Sequence, residues 1–381
     1  MDKTIYYLGY YDTDANKSEN RNYVLAASNK MTYIVSALER AGFCVELVSA
    51  SQTHNPQKYE AKTVPVGEKS RLHLFKTLPW GNKLRRICST LYGAWQVFRY
   101  LRRHVGKDDT LVVYHSLAYA RTVRWLKKRK GFRLVLEVEE IYADVSRREK
   151  ERALEHALFR CADAYIFPTE LLNEKLNVQE RPYAIVCGTY EVQPDRQCSF
   201  GDDHIHAVYA GTFDPRKGGA QTAVAAAAFL PEKYHMHIIG FGNRQDTQNL
   251  QNAVREAAER CAGLLTYDGC LSGEDYIRFL QSCQIGLSTQ NADAQFNDTS
   301  FPSKVLSYLA NGMRVVSVRI PVLERSEVGD LLYFYDENTP QAVAEAICRV
   351  DVTEPYDSRR RIAELDEAFV TALGAMLDAR G

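Results

Sequence analysis

No apolar run in the chain approaches the roughly 18–20 residues of a helical membrane span, so none is expected to cross a bilayer. The opening residues MDKTIYYLGYY lack the layout of a signal peptide, because a strand pattern begins at once, and a cytoplasmic protein is expected. No C-x-x-C pair occurs among the nine cysteines, an odd number. Most lie in apolar periodic segments, which argues for reduced, mostly buried thiols rather than a disulfide framework or a zinc ribbon. The P-loop pattern G-x-x-x-x-G-K-[ST] is absent. No G-x-G-x-x-G follows the first strand, and GFGNRQ at Gly240 keeps only two of those glycines. Net charge is lacking too: 48 Lys+Arg face 48 Asp+Glu. No internal repeat is visible.

That balance hides an asymmetry. Residues 1–200 hold 32 basic against 23 acidic side chains, a net of +9, and residues 201–381 hold 16 against 25, a net of −9. Two domains with different partners are expected, and 381 residues suffice for roughly two domains of ordinary size. Short apolar strands alternate with helical patterns throughout. In the first half the strands read as Ile5–Tyr10, Phe43–Val48, Thr110–His115, Arg133–Val138, Ala164–Phe167 and Tyr183–Cys187. In the second they read as Ile205–Ala210, His235–Ile239, Leu264–Tyr267, Gln284–Ser288 and Arg314–Val318. Such alternation implies an α/β protein with parallel sheets covered on both faces. The turn-rich Gly188–His204 reads as the linker. The division is then 1–190 for the first domain, 191–204 for the linker, 205–350 for the second domain and 351–381 for a terminal helical segment.

In such sheets ligands bind beyond the carboxyl ends of strands. Val208–Ala227, VYAGTFDPRKGGAQTAVAAA, is strand, glycine turn and helix. Gly211 permits a tight exit, and Arg216, Lys217 and Gly218 precede the helix. Backbone N–H groups and two cations there suit a diphosphate, against the alternative of an ordinary turn with a basic rim. A second loop-to-helix step runs from Asn297 to Ala310 and puts Lys304 in a first helical turn, where the dipole disfavours a cation. A bound anion would offset it; a solvated lysine is the alternative. Between them, Tyr267–Ser288 supplies strand, a Gly269–Leu271 loop placed to touch a planar base, and a helix with Ser272 as its expected cap. His204-x-His206 and His235-x-His237 each share one strand face. With no cysteine or carboxylate motif beside them, they read as structural histidines rather than ligands of a zinc site.

The ordered set G-T-F-x-x-x-K-G, IIGFG, YDGCLSGEDYIRFLQSCQIGLS and SFPSKVLSYLANGMRVVS resembles group 1 (family 4) glycosyltransferases of bacterial capsule, exopolysaccharide and O-antigen assembly. The resemblance covers most of Ile205–Ile347 and is thinner over residues 1–195. It implies the GT-B fold, two Rossmann-like doubly wound domains facing across a cleft, and transfer of a sugar from a nucleotide diphosphate sugar, with uridine the commonest base, usually with retention. It implies no metal and no cofactor. Carried over by residue, Lys217 matches the phosphate-binding lysine and Gly211 the first-loop glycine. Thr212 stands where an arginine usually follows, and Arg216 is the candidate replacement. Gly218, Gly242, Gly269 and Leu271 join the donor set. The family's pair of glutamates falls on Ser300 and Ser307, which removes the usual ribose contact. Phe301, Pro302, Ser303 and Lys304 remain beside the donor phosphates.

The first domain is left for the acceptor, a glycan or lipid-linked glycan. Tyr11 and Asn22 lie in the polar loop Gly9–Asn22, whose Asp12-x-Asp14 is not expected to bind metal. His115 ends a strand. Glu139 or Glu140, in EVEEIYAD with Glu137 and Asp144, is the candidate catalytic carboxylate, against a solvated acidic loop. Lys69–His104 carries nine basic residues, no acidic one, and interleaved Leu72, Phe75, Trp80, Leu91, Trp95 and Phe98; Arg121–Arg133 adds seven more. That composition suits an anionic membrane surface, or else a basic coat on a core. No nucleic-acid module is recognisable. The expected protein is a cytoplasmic glycosyltransferase, peripheral at the inner face of the membrane. The alternatives are a degenerate GT-B binding protein without turnover and a nucleotide-sugar epimerase.

Overall fold

The computed structural model describes residues 3–143, 149–215, 218–292, 297 and 300–378. It divides into two compact units, Met1–Thr189 with Ala368–Gly381, and Tyr190–Glu367. No described helix is long and apolar enough to cross a membrane.

The first unit is built on strands β1 (Lys3–Gly9), β2 (Phe43–Ser49), β3 (Lys62–Val66), β4 (Ser70–Leu74), β5 (Thr110–Tyr114), β6 (Arg133–Glu137), β7 (Ala164–Phe167) and β8 (Tyr183–Ile185). Their order is β3-β4-β2-β1-β5-β6-β7-β8. Helices α1 (Leu25–Arg40), α2 (Lys83–His104), α3 (Leu117–Lys130), α4 (Glu149–Phe159) and α5 (Glu170–Leu176) fill the crossovers. Leu111, Val112 and Val113 of β5 are all fully buried, as a parallel strand covered on both faces requires. α1 buries Met31, Ile34, Val35 and Leu38 at helical spacing.

One departure from the expected all-parallel sheet is the antiparallel β3–β4 pair. It takes the start of Lys69–His104 into a hairpin, so that segment is not one continuous basic face. Pro65 and Lys62 of β3 fit an edge strand, where a missing N–H is tolerated, and they mask it in the sequence.

The second unit holds β9 (Ile205–Thr212), α6 (Gly219–Ala227), β10 (Tyr234–Phe241), α7 (Arg244–Ala258), β11 (Leu264–Gly269), α8 (Gly273–Ser282), β12 (Ile285–Ser288), α9 (Ser303–Ala310), β13 (Arg314–Val318), α10 (Pro321–Glu324), β14 (Leu332–Tyr335), α11 (Pro340–Cys348) and α12 (Ser358–Asp378). The sheet order is β11-β10-β9-β12-β13-β14, and every pair is parallel. Strand order reverses between β9 and β12, the position where doubly wound sheets open a crevice for ligands.

α12 begins in the second unit, where Ser358 donates to Leu309 O at 2.8 Å and Arg359 to Asn311 O at 2.7 Å. Its last turns belong to the first unit, where Arg133 donates to Met376 O at 2.6 Å and Phe369 stacks on Tyr33 at 5.8 Å.

All nine cysteines are free, but the expectation that most are buried does not hold. Cys283 is buried, Cys88, Cys270 and Cys348 are exposed, and the other five are partly covered. The periodic segments they occupy have solvent faces as well as core faces.

Candidate functional site

In the second unit the carboxyl ends of β9 and β12 are locked together by one side chain. Tyr308 of α9 is fully buried; its hydroxyl accepts from Ala210 N at 2.9 Å and donates to Leu287 O at 3.3 Å. A Cβ on Gly286 would lie 2.4 Å from the Tyr308 ring, so glycine in β12 is what lets the ring lie flat there. The start of α9 is thereby fixed at the switch point.

Lys304, in the first turn of α9, reaches over the Tyr209 ring at 3.9 Å and lies 3.0 Å from where a Gly211 Cβ would be. It is half-buried. An aromatic face thus stabilises the ammonium where the helix dipole opposes it. Tyr209 donates to Thr212 O at 3.1 Å, and burial pushes its phenol up to about 12, so it stays neutral. The same ring lies within 2.9 Å of the Cβ position of Gly219, the first residue of α6. Thr289, after β12, donates to Gly219 O at 2.7 Å. Two helix starts, neither with an acidic residue in its first turn, are therefore drawn to one lysine.

Gly218 holds the α6 N-cap in the left-handed region, φ 68°. Arg216 and Lys217 lie outside the described residues. Thr212 and Gly242 line an open pocket of 770 Å³ with Asp214, Pro215, Phe241, Asn243 and Asp246. Gly269 is left-handed at φ 90°, and Leu271 is half-buried. Ser300 and Pro302 are partly covered, Phe301 is buried and Ser303 is exposed. Ser307 shares a hydrogen bond with the Tyr276 phenol. Ser272 takes the N-cap position of α8 as expected, but its side chain makes no capping bond. Tyr209 and Thr289 were not singled out from the sequence. Their only signal is alternation from Gly211 and position after an apolar strand.

In the first unit the expected acceptor residues serve the interior. Tyr11 is 3% exposed and its hydroxyl sits 2.9 Å from Thr32 Oγ1. Asn22 exchanges hydrogen bonds with the backbone of Gln52. Asp12 accepts from Thr13 N and Asn16 Nδ2, both at 2.8 Å, and so closes a local turn; nothing is described of the Asp14 side chain. His115 is 1% exposed, stacks on Tyr142 at 4.8 Å, and has Nε2 3.3 Å from Glu155 Oε1. Burial holds it down to about 4. Glu139 pairs with Lys30 at 2.5 Å, and Lys30 also donates to Val186 O at 2.9 Å. Glu140 is half-buried, and Asp144 lies outside the described residues.

A carboxylate with strongly altered chemistry among the described residues is Glu137. It is fully buried at the end of β6, takes a hydrogen bond from the Tyr7 hydroxyl, and leaves Oε1 without a partner. Burial first, then the negative charge of Glu139, pushes it from 4.5 up to about 8. The folded state then keeps a proton that the unfolded state releases. Its contribution is complete below the unfolded value and is lost as pH rises from about 4.5 through about 8. All three tryptophans, Trp80, Trp95 and Trp125, lie in this unit, so their fluorescence reports its unfolding. Denaturant titrations followed by that signal are expected to show stability declining across this range, and Glu137→Gln is expected to flatten the decline. Equal slopes in the two proteins would remove the assignment.

No protein-family model and no curated protein matches the chain. Solved structures do match its backbone over nearly the full length of both chains. A trehalose-6-phosphate protein from E. coli bound with UDP-2-fluoro glucose gives a TM-score of 0.64 at 13% identity, over 98% of this chain and 97% of that one. Sucrose-phosphate synthase from Thermosynechococcus elongatus gives 0.66 at 15% identity, over 98% of each. A UDP-forming α,α-trehalose-phosphate synthase from Burkholderia xenovorans in complex with glucose-6-phosphate gives 0.62 at 14% identity, over 98% of this chain and 99% of that one. The fold is GT-B. At these identities the likeness is one of backbone. In GT-B terms the first unit is the N-terminal Rossmann-like domain and the second the C-terminal one, with the Lys304–Tyr209 constellation at the switch point of the latter.

Proposed function

We propose that the chain is a glycosyltransferase that moves a sugar from a nucleotide diphosphate sugar, with UDP the first base to test, to a glycan acceptor. The observation that carries this is the convergence of Lys304, Gly211 and the starts of α6 and α9 at the β9/β12 switch point. Two helix N-termini and an ammonium form a binding site for a diphosphate that needs no metal ion. Arg216 and Lys217 precede α6 in sequence and would add charge to it. The same groups would stabilise the charge that develops on the leaving phosphate as the glycosidic bond breaks. Gly269 and Leu271 are assigned to the base, and Thr212, Gly218, Gly242, Ser300, Phe301, Pro302 and Ser303 to the rim. A GT-B neighbour bound with UDP-2-fluoro glucose supports a sugar nucleotide donor.

The acceptor is proposed to be lipid-linked, in surface polysaccharide synthesis at the inner face of the membrane, as the resemblance to group 1 enzymes implies. The exposed face of α2 from Lys83 to Arg99 supports this reading. Leu84 (70% exposed), Ile87 (49%), Leu91 (66%) and Trp95 (49%) form one exposed apolar stripe. Lys83, Arg85, Arg86 and Arg99 flank it, also exposed. Basic residues beside an apolar stripe suit an anionic lipid surface. In Arg121–Arg133, by contrast, Lys127 and Lys130 donate to the Phe132 and Arg102 carbonyls at 2.9 and 2.7 Å, and Arg133 is spent on α12. That cluster contributes mainly through Arg121, Lys128 and Arg129, which are exposed. Leu91→Glu with Trp95→Glu is expected to cut sedimentation with phosphatidylglycerol vesicles at least about tenfold while leaving the fold intact, because both positions are exposed. Binding equal to wild type would remove the stripe from the proposal.

Calorimetric titration with UDP, GDP and CMP in EDTA tests the donor site, and a panel of sugar nucleotides of the winning base follows. Binding of one diphosphate with sugar release to a glycan supports transfer. A second reading, a binding protein without turnover, is favoured by Ser307, which stands where a ribose-holding glutamate is expected and bonds to Tyr276 instead. Binding without consumption would select it.

A further inference from the structure

The two His-x-His pairs come together on adjacent strands. In the parallel register His235 of β10 stands opposite His206 of β9, and His237 follows on the same face. His206 and His237 are 3% and 2% exposed; His235 is half-buried. Ligand nitrogens of the three rings all lie within 4.8 Å of one another. Phe200 stacks on His206 at 4.3 Å and on His237 at 4.8 Å, and Phe279 of α8 meets His237 edge-on at 5.2 Å.

The hydrogen bonds along this cluster do not supply a proton for every contact. Four groups lie in line. Asp202 Oδ1 is 2.9 Å from His206 Nε2, His206 Nδ1 is 2.9 Å from His237 Nε2, and His237 Nδ1 is 3.0 Å from Asp268 Oδ2. Two neutral imidazoles bring two N–H groups to these three contacts. Each carboxylate draws one, since a hydrogen bond to a charged acceptor is the stronger kind. The Thr266 hydroxyl is closer to Asp268, at 2.8 Å, than to His237, at 3.2 Å, and so does not stand in for the missing proton. The inner nitrogens of His206 and His237 are then both bare lone pairs facing each other at 2.9 Å. Such a pair needs a cation between or beside it. Two nitrogens each about 2.0–2.1 Å from one tetrahedral ion stand about 3.3 Å apart, so an ion seated on this pair opens the 2.9 Å contact by a few tenths of an ångström. A shared proton would use two nitrogens; the third ring, His235, is what a metal ion uses and a proton does not.

We propose that His206, His235 and His237 bind one divalent transition-metal ion of the zinc class, with Asp202 and Asp268 holding the outer nitrogens of His206 and His237. Three imidazoles suit zinc, copper or nickel rather than magnesium or calcium, and the carboxylate–imidazole–metal arrangement is the usual way to orient such ligands. His206 precedes Gly211 by five residues, about 16 Å along the strand. The ion therefore takes no part in sugar transfer. It ties the turn before β9 and β11 to the centre of the C-terminal sheet.

The test uses full-length protein without a histidine tag, stripped with a chelator and dialysed. Zinc titration by calorimetry is expected to show one ion bound per chain and to raise the melting temperature. Cobalt in place of zinc is expected to give visible d–d absorption from nitrogen ligands. His235→Phe, which keeps a ring at a half-buried position, is expected to weaken binding at least about tenfold, and Asp268→Asn by about 10–100-fold with all three nitrogens retained. Circular dichroism verifies that each variant is folded. No stoichiometric uptake by wild type, or uptake undiminished in both variants, would overturn the proposal and leave a proton between His206 and His237.

Discussion

Lys304→Ala is expected to weaken binding of the nucleoside diphosphate by about 1–3 kcal/mol, roughly 5- to 150-fold, with little change in stability. The ammonium lies over Tyr209 and beside Gly211, so it meets a phosphate placed at either helix start. Its loss leaves two helix dipoles and backbone N–H groups, which bind anions more weakly than they do with a cation. Lys304→Met separates charge from packing, because the thioether stem covers the Tyr209 ring without an ammonium. Both variants are expected to lose affinity together, and loss from Ala but not from Met would show that the lysine matters by filling space. Calorimetry with the preferred diphosphate decides, and unchanged affinity in both would place the donor phosphates elsewhere.

Gly240→Ala is expected to destabilise the C-terminal unit by at least about 4 kcal/mol, enough to prevent its folding at physiological temperature. Gly240 has φ 138°, and a Cβ there would lie 1.8 Å from the carbonyl oxygen of Gly211 on the neighbouring strand. Both offending groups are backbone, and Gly240 and Gly211 are register partners, so neither can yield without breaking the β9–β10 pairing. Gly218→Ala is the control: φ is also positive, at 68°, but none of the described residues lies within 4 Å of the new methyl. Its cost is about 1–2 kcal/mol, the left-handed penalty alone. Far-ultraviolet dichroism during denaturation reports both, since the tryptophans are confined to the other unit. If Gly240→Ala were as mild as the control, the close approach would be wrong.

The alternation of apolar runs with helical spacing was enough to place β9, β10, β12 and β13, whose residues are buried on both faces and read as continuous hydrophobic stretches. β3, β4 and β14 escaped notice, β4 because SRLHL reads as part of the basic segment Lys69–His104. KTVPV carries a lysine and a proline, and LYFY is too short to separate from a helical fragment. Within the candidate site, Gly211 and Lys304 were visible because each breaks a local rule, a glycine at a strand exit and a cation at a helix start. Tyr209 and Thr289 break none; they matter because β9 and β12 are neighbours, and neighbourhood between strands about eighty residues apart is not written in either one. The histidines show the same limit. Each His-x-His pair announces a shared face, but only the His206–His235 register turns two faces into one cluster. Tyr11 and His115 were chosen by position at strand ends, and their burial depended on Thr32, Tyr142 and Phe159, which arrive from other elements.

The path of α12 has a consequence for biosynthesis. Because residues 368–378 complete the unit that begins at the N-terminus, that unit cannot finish folding as it leaves the ribosome. Tyr33 and the Arg133 guanidinium wait for Phe369, Met376 and Leu377 until the whole intervening unit has been made. At roughly 5–20 residues per second, the nascent N-terminal unit carries an open apolar seam for on the order of ten seconds or more. During that interval it is a natural client for a chaperone, and the final turns of the last helix act as the latch that ends the dependence.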